Sequence, residues 1–304
     1  MASQVSAIIP VRNRPGFLLE AVESLIATAY PNLEILIVDD GSEDETLNCA
    51  GELERRFPAI VRTVQHGDGR NHGPGASRNL GVRAVGGKYV CFLDSDDVVL
   101  PHRFERAVRL LENDESIDAV CEPFLTDDGQ RPYDVEPEKR PGLTRLGSGG
   151  RWNTDTVLLR RRCFLDVGGF SERLRTCEDL VLWGKLILSS RIEESGTEPV
   201  AIYRRHGKNT DVILENSLGA HLEVMRWAKK RDLDDGRREA LLEIVWGKML
   251  YVSDRLRRDG RPLQAMRMLL ATVMAHPAYA TRTGFWKNLV WGGVEKGTGL
   301  RKPW

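Results

Sequence analysis

The stretch from Lys88 to Leu100, KYVCFLDSDDVVL, constrains the fold of this chain more than any other. Residues 89–93 are apolar, β-branched or aromatic, which is typical of a strand buried on both faces in a parallel sheet. Four polar residues follow directly: Asp94, Ser95, Asp96 and Asp97. Three carboxylates at the end of a buried strand repel one another, so a positive charge must lie close to them. The stretch therefore predicts a buried strand that ends in a polar site.

A divalent cation is the simplest source of that positive charge, because carboxylate oxygens suit Mg²⁺ and Mn²⁺. These ions typically bind one or two carboxylates together with the phosphates of a substrate. Alternatively, one aspartate caps a helix predicted to begin near Pro101, and the others are solvated. The acidic cluster by itself leaves the metal site and the structural interpretation open.

Strands and helices alternate along residues 1–125, with short connections between them. Apolar runs predict strands at 5–11, 33–38, 60–64, 89–93 and 117–125. Helical spacing predicts helices that begin at Pro15, Glu43, Pro74 and Pro101. This alternation is typical of an α/β fold with a mostly parallel central sheet flanked by helices.

Polar clusters follow three of the predicted strands. They are Arg12–Asn13, Asp39–Asp40 and Asp94–Asp97. Parallel sheets bind ligands beyond the carboxyl ends of their strands, so these clusters should converge at one edge. Such convergence favours a binding site over three separate structural explanations.

Charge and cysteine content exclude several classes of protein. The 304 residues carry no net charge, so bulk attraction to nucleic acid is not expected. From Arg205 onward the chain has 19 Lys and Arg against 11 Asp and Glu, which makes its tail basic. Five cysteines without C-x-x-C spacing indicate a reduced, cytoplasmic protein. No signal peptide is recognisable, and no apolar run approaches the roughly 18 residues of a transmembrane helix.

Four longer segments form a specific combination in their order and spacing. They are AIIPVRNR at 7–14, LEILIVDDGSEDET at 33–46, GPGASRNLGVRAVGGKYVCFLDSDD at 73–97 and VGGFSERLRTCEDLVLW at 167–183. Together they resemble the family 2 glycosyltransferases of the GT-A fold. The resemblance covers residues 4–207 and implies a GT-A catalytic domain over 1–207. Within it, 1–115 would be the nucleotide-binding half and 116–207 the acceptor half.

The resemblance implies a nucleotide-sugar pocket in the first half of the chain. Its residues would be Pro10, Val11, Arg12, Asp39, Asp40, Gly73, Arg78, Asp94 and Ser95. Asp40 would accept a hydrogen bond from uracil, which favours a UDP-sugar, although a dTDP-sugar would satisfy the same contact. Asp94 and Asp96 form the family's D-x-D motif, in which Asp96 would contact Mn²⁺ or Mg²⁺ and Asp94 the ribose or the metal.

The resemblance also implies how the second half contributes to catalysis. Asp179 would be the general base of a single displacement that inverts the anomeric carbon, and Glu178 would orient the acceptor or the backbone. By themselves, these acids are explained more simply as a helix cap. His206 would be a third metal ligand or a contact to the diphosphate, and its structural alternative is a surface histidine.

Other functions are compatible with parts of the sequence. FLDSDDV also fits the nucleophile motif of haloacid-dehalogenase-type phosphatases, in which Asp94 would attack phosphate. A non-catalytic relative that only binds sugar nucleotides is a further alternative. Gly67, Gly69 and Gly73 do not have the spacing of a dinucleotide-binding fingerprint.

The rest of the chain predicts a strand, a loop and a helical extension. Residues 126–150 have no periodicity and predict a long loop that shapes the acceptor site, and 154–159 predict a strand. Residues 208–304 predict a C-terminal helical extension. Within it, 279–304 combine aromatic and basic residues, so this segment either packs on the protein or makes a peripheral membrane contact at the inner face.

Overall fold

The computed structural model describes residues 2–127, 153–204, 214–275 and 277. The chain divides into two compact units. The described residues up to 204 belong to the first unit, and those from 214 onward belong to the second. The catalytic domain over 1–207 and the halves within it stay predictions.

The first unit contains ten strands and six α-helices in its described residues. The strands are β1 (Val5–Val11), β2 (Leu33–Asp39), β3 (Val61–Gln65), β4 (Tyr89–Phe92), β5 (Val98–Val99), β6 (Ala119–Cys121), β7 (Phe124–Asp127), β8 (Val157–Arg160), β9 (Ile192–Glu194) and β10 (Ala201–Arg204). The helices are α1 (Pro15–Ala27), α2 (Thr46–Arg56), α3 (Pro74–Ala84), α4 (Glu105–Asn113), α5 (Arg161–Asp166) and α6 (Glu178–Ser189).

Seven of these strands form the central sheet, in the order β3-β2-β1-β4-β8-β6-β9. All neighbouring pairs are parallel except those of β8, which runs antiparallel to both β4 and β6. The α/β fold with a mostly parallel sheet is therefore confirmed. A smaller sheet has the order β5-β10-β7.

The carboxyl ends of β1, β2 and β4 meet at one edge of the sheet. Val11 pairs with Asp39, and the N–H of Asp40 donates to the carbonyl oxygen of Val11 over 2.8 Å. On the other side of β1, the N–H of Leu93 donates to Ile8 over 3.1 Å. Consequently the three polar clusters that follow these strands lie at the same edge, as the sequence predicts.

The predicted fifth strand over 117–125 is wrong, because the structure splits it between the two sheets. β6 pairs with β8 in the central sheet, whereas β7 pairs with β10 in the smaller one. The break falls at Glu122 and Pro123. A proline has no N–H to donate to a neighbouring strand, so one continuous ladder cannot pass through this point.

Three other predicted elements begin later than the sequence indicates. The helix predicted from Glu43 starts at Thr46. The helix predicted from Pro101 starts at Glu105, because 101–104 form tight turns in which Arg103 donates to Leu100 over 3.0 Å. The strand predicted over 154–159 begins at Val157, after a 3₁₀ turn at Thr154–Thr156. The side chain of Asn153 accepts the N–H of Asp155 over 2.9 Å and thereby caps that turn.

The second unit is helical in its described residues, with α7 (Leu214–Ala228), α8 (Asp235–Arg258) and α9 (Pro262–Ala275). Val252 and Leu256 of α8 form a small buried cluster with Ala265 of α9. Within the parts of the chain that the structure describes, no helix combines the length and apolar character that a membrane crossing requires.

Close packing of α3 against the central sheet generates a stability prediction. A Cβ added at Gly81 would lie 2.5 Å from Cγ2 of Ile8, whereas one at Gly51 of α2 would meet no atom within 4 Å. We expect Gly81→Ala to lower the free energy of unfolding by about 1–3 kcal/mol, because the β-branched Ile8 cannot move aside freely.

The matched control, Gly51→Ala, should raise the free energy of unfolding by roughly 0.5–1 kcal/mol, since alanine favours a helix interior. Urea unfolding of both variants measures the difference. Equal stability of the two variants would contradict the packing of α3 described above.

Candidate active site

Three carboxylates from two segments meet beyond the end of β4. Oxygen atoms of Asp94, Asp97 and Asp155 all lie within 4.8 Å of one another. Asp155 Oδ1 accepts the N–H of Asp94 over 2.8 Å, and Asp97 Oδ1 accepts the N–H of Arg204 over 2.7 Å. The remaining Oδ2 atoms of Asp97 and Asp155 are buried without a hydrogen-bond partner among the described residues. These two oxygens are available to a cation or to a shared proton.

Burial makes this acid cluster costly in its charged form. Desolvation, together with the charge of Asp94, raises the pKa of Asp97 to about 7. Desolvation and the charge of Asp97 also raise the pKa of Asp155 well above its usual value. The cluster therefore holds protons near neutral pH unless a cation replaces them.

The ligand chemistry of the three-carboxylate cluster fits a divalent-cation site. It presents only carboxylate oxygens, the ligand type that Mg²⁺ and Mn²⁺ prefer, and two of those oxygens lack partners among the described residues. Asp155 is the member that sequence reasoning missed. It precedes a strand inserted antiparallel between β4 and β6, and no sequence pattern indicated that this strand would lie beside β4.

Arg78 of α3 connects the acid cluster to the second half of the unit. Its Nη1 donates to Glu178 Oε1 over 2.7 Å, and its Nη2 donates to Asp94 Oδ1. The guanidinium carbon lies 5.1 Å from the centre of the Phe170 ring. Burial alone would lower the pKa of Arg78, but the charges of Asp94 and Glu178 outweigh burial and raise it. Arg78 is thus a permanent cation that fixes the positions of two carboxylates.

Asp179 follows Glu178 in the first turn of α6. Burial, together with the neighbouring charge of Glu178, raises the pKa of Asp179 to about 6. One of its oxygens accepts the N–H of Leu180 over 2.8 Å. Before the helix, Cys177 adopts a left-handed conformation with φ of 65°, which is uncommon for a residue with a side chain. This turn brings the Glu178–Asp179 pair to α3 and Arg78.

Asp39 and Asp40 lie at the end of β2, as the sequence predicts. Asp40 accepts the N–H of His72 over 2.7 Å and the N–H of Gly73 over 2.9 Å, so it fixes the turn before α3. Asp39 Oδ2 accepts the side chain of Gln65 over 2.9 Å, whereas its buried Oδ1 has no hydrogen-bond partner in the described part of the chain. Their predicted contacts to a nucleobase stay predictions.

Both the backbone conformation and a neighbouring side chain require a glycine at position 73. Its φ of 91° favours glycine, and a Cβ there would lie 2.8 Å from Nη1 of Arg175. Arg175 also donates to Asn71 Oδ1 over 2.8 Å. The loop before α6 is therefore held against the turn that Asp40 fixes.

The other predicted pocket residues lie around β1 and β4. Pro10 and Val11 are buried at the end of β1, whereas Arg12 is exposed and forms a 3.5 Å ion pair with Glu43. Ser95 is buried.

Asp96 is not part of the three-carboxylate cluster in this structure. Its Oδ2 lies 2.5 Å from Nη1 of Arg14, the residue just before α1. His206 lies outside the described residues. The roles assigned to Asp96 and His206 from the resemblance stay predictions.

A family model and two sequence relatives indicate the family to which this chain belongs. The family model described as Glycosyl transferase family 2 matches residues 6–165. An uncharacterized glycosyltransferase of Rickettsia prowazekii is 30% identical over 197 residues, which are 62% of this chain and 60% of that protein. One of Rickettsia felis is 36% identical over 192 residues, covering 60% of this chain and 31% of that protein. The aligned part is less than two thirds of the length of either relative.

Solved structures share the fold at low sequence identity. Staphylococcus aureus TarS 1–349 in complex with UDP-GlcNAc has a TM-score of 0.73 at 20% identity, covering 91% of this chain and 82% of that one. The mannosyltransferase PcManGT of Pyrobaculum calidifontis, in complex with GDP-Man and Mn²⁺, has a TM-score of 0.65 at 16% identity, covering 96% and 84%. The expected GT-A fold is confirmed, and the chain belongs to glycosyl transferase family 2.

Proposed function

We propose that this protein transfers a sugar from a nucleotide-diphosphate donor to an acceptor hydroxyl, with inversion at the anomeric carbon. The observation that carries the proposal is the Arg78 guanidinium, which joins Asp94 at the end of β4 to Glu178, directly before Asp179. In this arrangement one buried cation contacts both the metal-compatible acid cluster and the residue directly before the candidate general base.

Asp179 acts as the general base in this proposal. Its carboxylate accepts the proton of the acceptor hydroxyl as the oxygen attacks the anomeric carbon of the donor. A pKa of about 6 makes Asp179 a stronger base than an ordinary aspartate and still leaves it mostly ionised at neutral pH. An alcohol is a far weaker acid, so the proton must move in concert with bond formation. Glu178, held by Arg78, fixes the first turn of α6.

The acid cluster holds a divalent cation in this proposal. Asp94, Asp97 and Asp155 would bind it, and Asp96 stays a candidate ligand if it separates from Arg14. The chemistry that Mn²⁺ or Mg²⁺ would supply there is neutralisation of the charge on the leaving diphosphate. Two protein structures of this fold support the donor class, one with UDP-GlcNAc and one with GDP-Man and Mn²⁺. We favour a UDP-sugar because Asp40 suits uracil.

Acceptor and location complete the proposal. A hydroxyl on a glycan, a lipid-linked sugar or a small molecule would bind beside the Glu178–Asp179 pair. We propose a reducing, cytoplasmic location, since all five cysteines are free thiols, and a membrane contact through 279–304.

A non-catalytic sugar-nucleotide binder is the second candidate function, and an assay of donor hydrolysis would distinguish it from an enzyme. Membership of a transferase family argues against a haloacid-dehalogenase-type phosphatase.

Removing the charge of Asp155 tests the cation site. Asp155→Asn retains an oxygen that can accept the N–H of Asp94 but loses the negative charge. We expect UDP affinity in Mn²⁺ to fall about tenfold or more, within the range typical for altered metal-site residues. Titration calorimetry with UDP and Mn²⁺ measures the effect.

Asp118→Asn is the matched control for Asp155→Asn, because Asp118 is a partly buried acid that accepts the N–H of Arg191 over 3.0 Å, outside the cluster. It should bind UDP like the wild type. Unchanged affinity of Asp155→Asn would show that Asp155 only holds the backbone of Asp94.

Removing the base function of Asp179 tests the chemistry. Asp179→Asn retains size and hydrogen bonding but cannot take the proton, so kcat should fall about 10²–10⁴-fold. Donor affinity should stay within a few-fold, because the predicted donor contacts lie in the first half of the chain. Steady-state kinetics together with calorimetry separate the two quantities.

The pH dependence of kcat provides a second readout for Asp179. A base with a pKa near 6 is protonated in acid, so wild-type kcat should fall as the pH drops below about 6. With saturating Mn²⁺ at every pH, the residual activity of Asp179→Asn should lack this fall. Asp166→Asn, which changes an exposed acid, should behave as wild type. A kcat for Asp179→Asn within about threefold of wild type would contradict the catalytic role, and the Glu178–Asp179 pair would then be explained as a helix cap.

A further inference from the structure

Helix α9 is apolar on two faces, and among the described residues of the second unit one face is buried and the other is exposed. Ala265 and Leu269 are buried, and Ala265 packs with Val252 and Leu256 of α8. The second face is a stripe of four side chains, here called the α9 stripe. Its residues are Leu263 (67% exposed), Met266 (39%), Leu270 (43%) and Met274 (83%).

The α9 stripe is an unusual concentration of exposed apolar surface. Its spacing of three, four and four residues puts the side chains on one side of the helix. Across the described residues, seven large hydrophobic side chains are exposed, and four of them belong to this stripe. Scattered exposed leucines need no explanation, but a contiguous group indicates an interaction surface.

The segment that contains the stripe carries a net positive charge. Between Asp254 and Ala275 the chain has two aspartates and five arginines, namely Arg255, Arg257, Arg258, Arg261 and Arg267. Two of these arginines, Arg255 and Arg258, form ion pairs with the two aspartates, so the segment has an excess of three arginines. Arg267 lies on α9 one residue after Met266, and it is exposed. An exposed apolar stripe in an arginine-rich segment has the composition of a helix that lies in the interface of an anionic membrane.

We propose that the α9 stripe docks on the surface of an anionic lipid bilayer, with the leucine and methionine side chains inserted below the headgroups and the arginines facing the lipid phosphates. A second copy of the chain fits less well. In a twofold contact the same surface meets itself, which would bring the arginines of both copies together. The segment 279–304, whose sequence contains aromatic and basic residues, lies outside the described residues and is no part of this proposal.

A pair of charge-introducing variants in the full-length protein tests the proposal. Leu263→Glu combined with Met274→Glu changes the two most exposed members of the stripe, so the fold should be unaffected. The matched control combines Leu47→Glu with Leu165→Glu, which are 40% and 43% exposed in the first unit. Each protein is sedimented with phosphatidylcholine vesicles, with and without phosphatidylglycerol.

We expect the wild type and the control to bind vesicles that contain phosphatidylglycerol, and to bind pure phosphatidylcholine and high-salt samples more weakly. The α9 variant should lose about tenfold or more of its affinity, because inserted apolar area provides much of the binding. Donor hydrolysis in solution should be the same for all three proteins, so this test is independent of the proposed transferase activity.

Three results would overturn the proposal. In the first, the wild type does not bind anionic vesicles. In the second, the α9 variant binds them as the control does, while Trp286→Ala combined with Trp291→Ala abolishes binding, which would assign the contact to 279–304 alone. In the third, the wild type self-associates without lipid and the α9 variant is a monomer, which would make the stripe a contact between copies.

Discussion

The Arg78 guanidinium is the interaction on which the candidate site depends. It is buried, and a buried charge is stable only when it is paired and hydrogen-bonded. Its two partners come from distant parts of the sequence, Asp94 after β4 and Glu178 at the start of α6. Loss of either partner would leave guanidinium N–H groups of Arg78 without that hydrogen bond, and loss of both would leave an uncompensated buried charge. The fold and the position of Glu178, directly before Asp179, are therefore coupled through this one residue.

The acid cluster places a second constraint on the same site. Asp97 and Asp155 have raised pKa values because they are buried beside other carboxylates, and Arg78 reaches only Asp94. The protein therefore maintains three carboxyl groups that Arg78 alone cannot neutralise. In the proposed function a divalent cation would take the place of the protons that these groups hold, and Arg78 fixes Asp94 of the cluster and Glu178 beside the base.

The sequence predicts the parts of this site that depend on local pattern. Alternating strands and helices placed Asp39–Asp40 and Asp94–Asp97 at one edge, and the family motifs identified Arg78 and Asp179 as candidates. The sequence could not predict Asp155, because its place beside Asp94 depends on the antiparallel insertion of β8, a long-range pairing without a local signal. The Arg14–Asp96 ion pair is a tertiary contact of the same kind.

The measurement that tests this account most directly is the kinetics of Arg78→Lys. A lysine retains the charge but cannot hold two carboxylates with a planar fork. We predict that kcat falls about a hundredfold, because small misplacement of a catalytic group costs that much. Arg160→Lys, which changes a buried arginine bonded to the carbonyl oxygens of Ile117 and Leu111, should lower stability while kcat is retained. A folded Arg78→Lys enzyme with kcat within a few-fold of wild type would contradict the account.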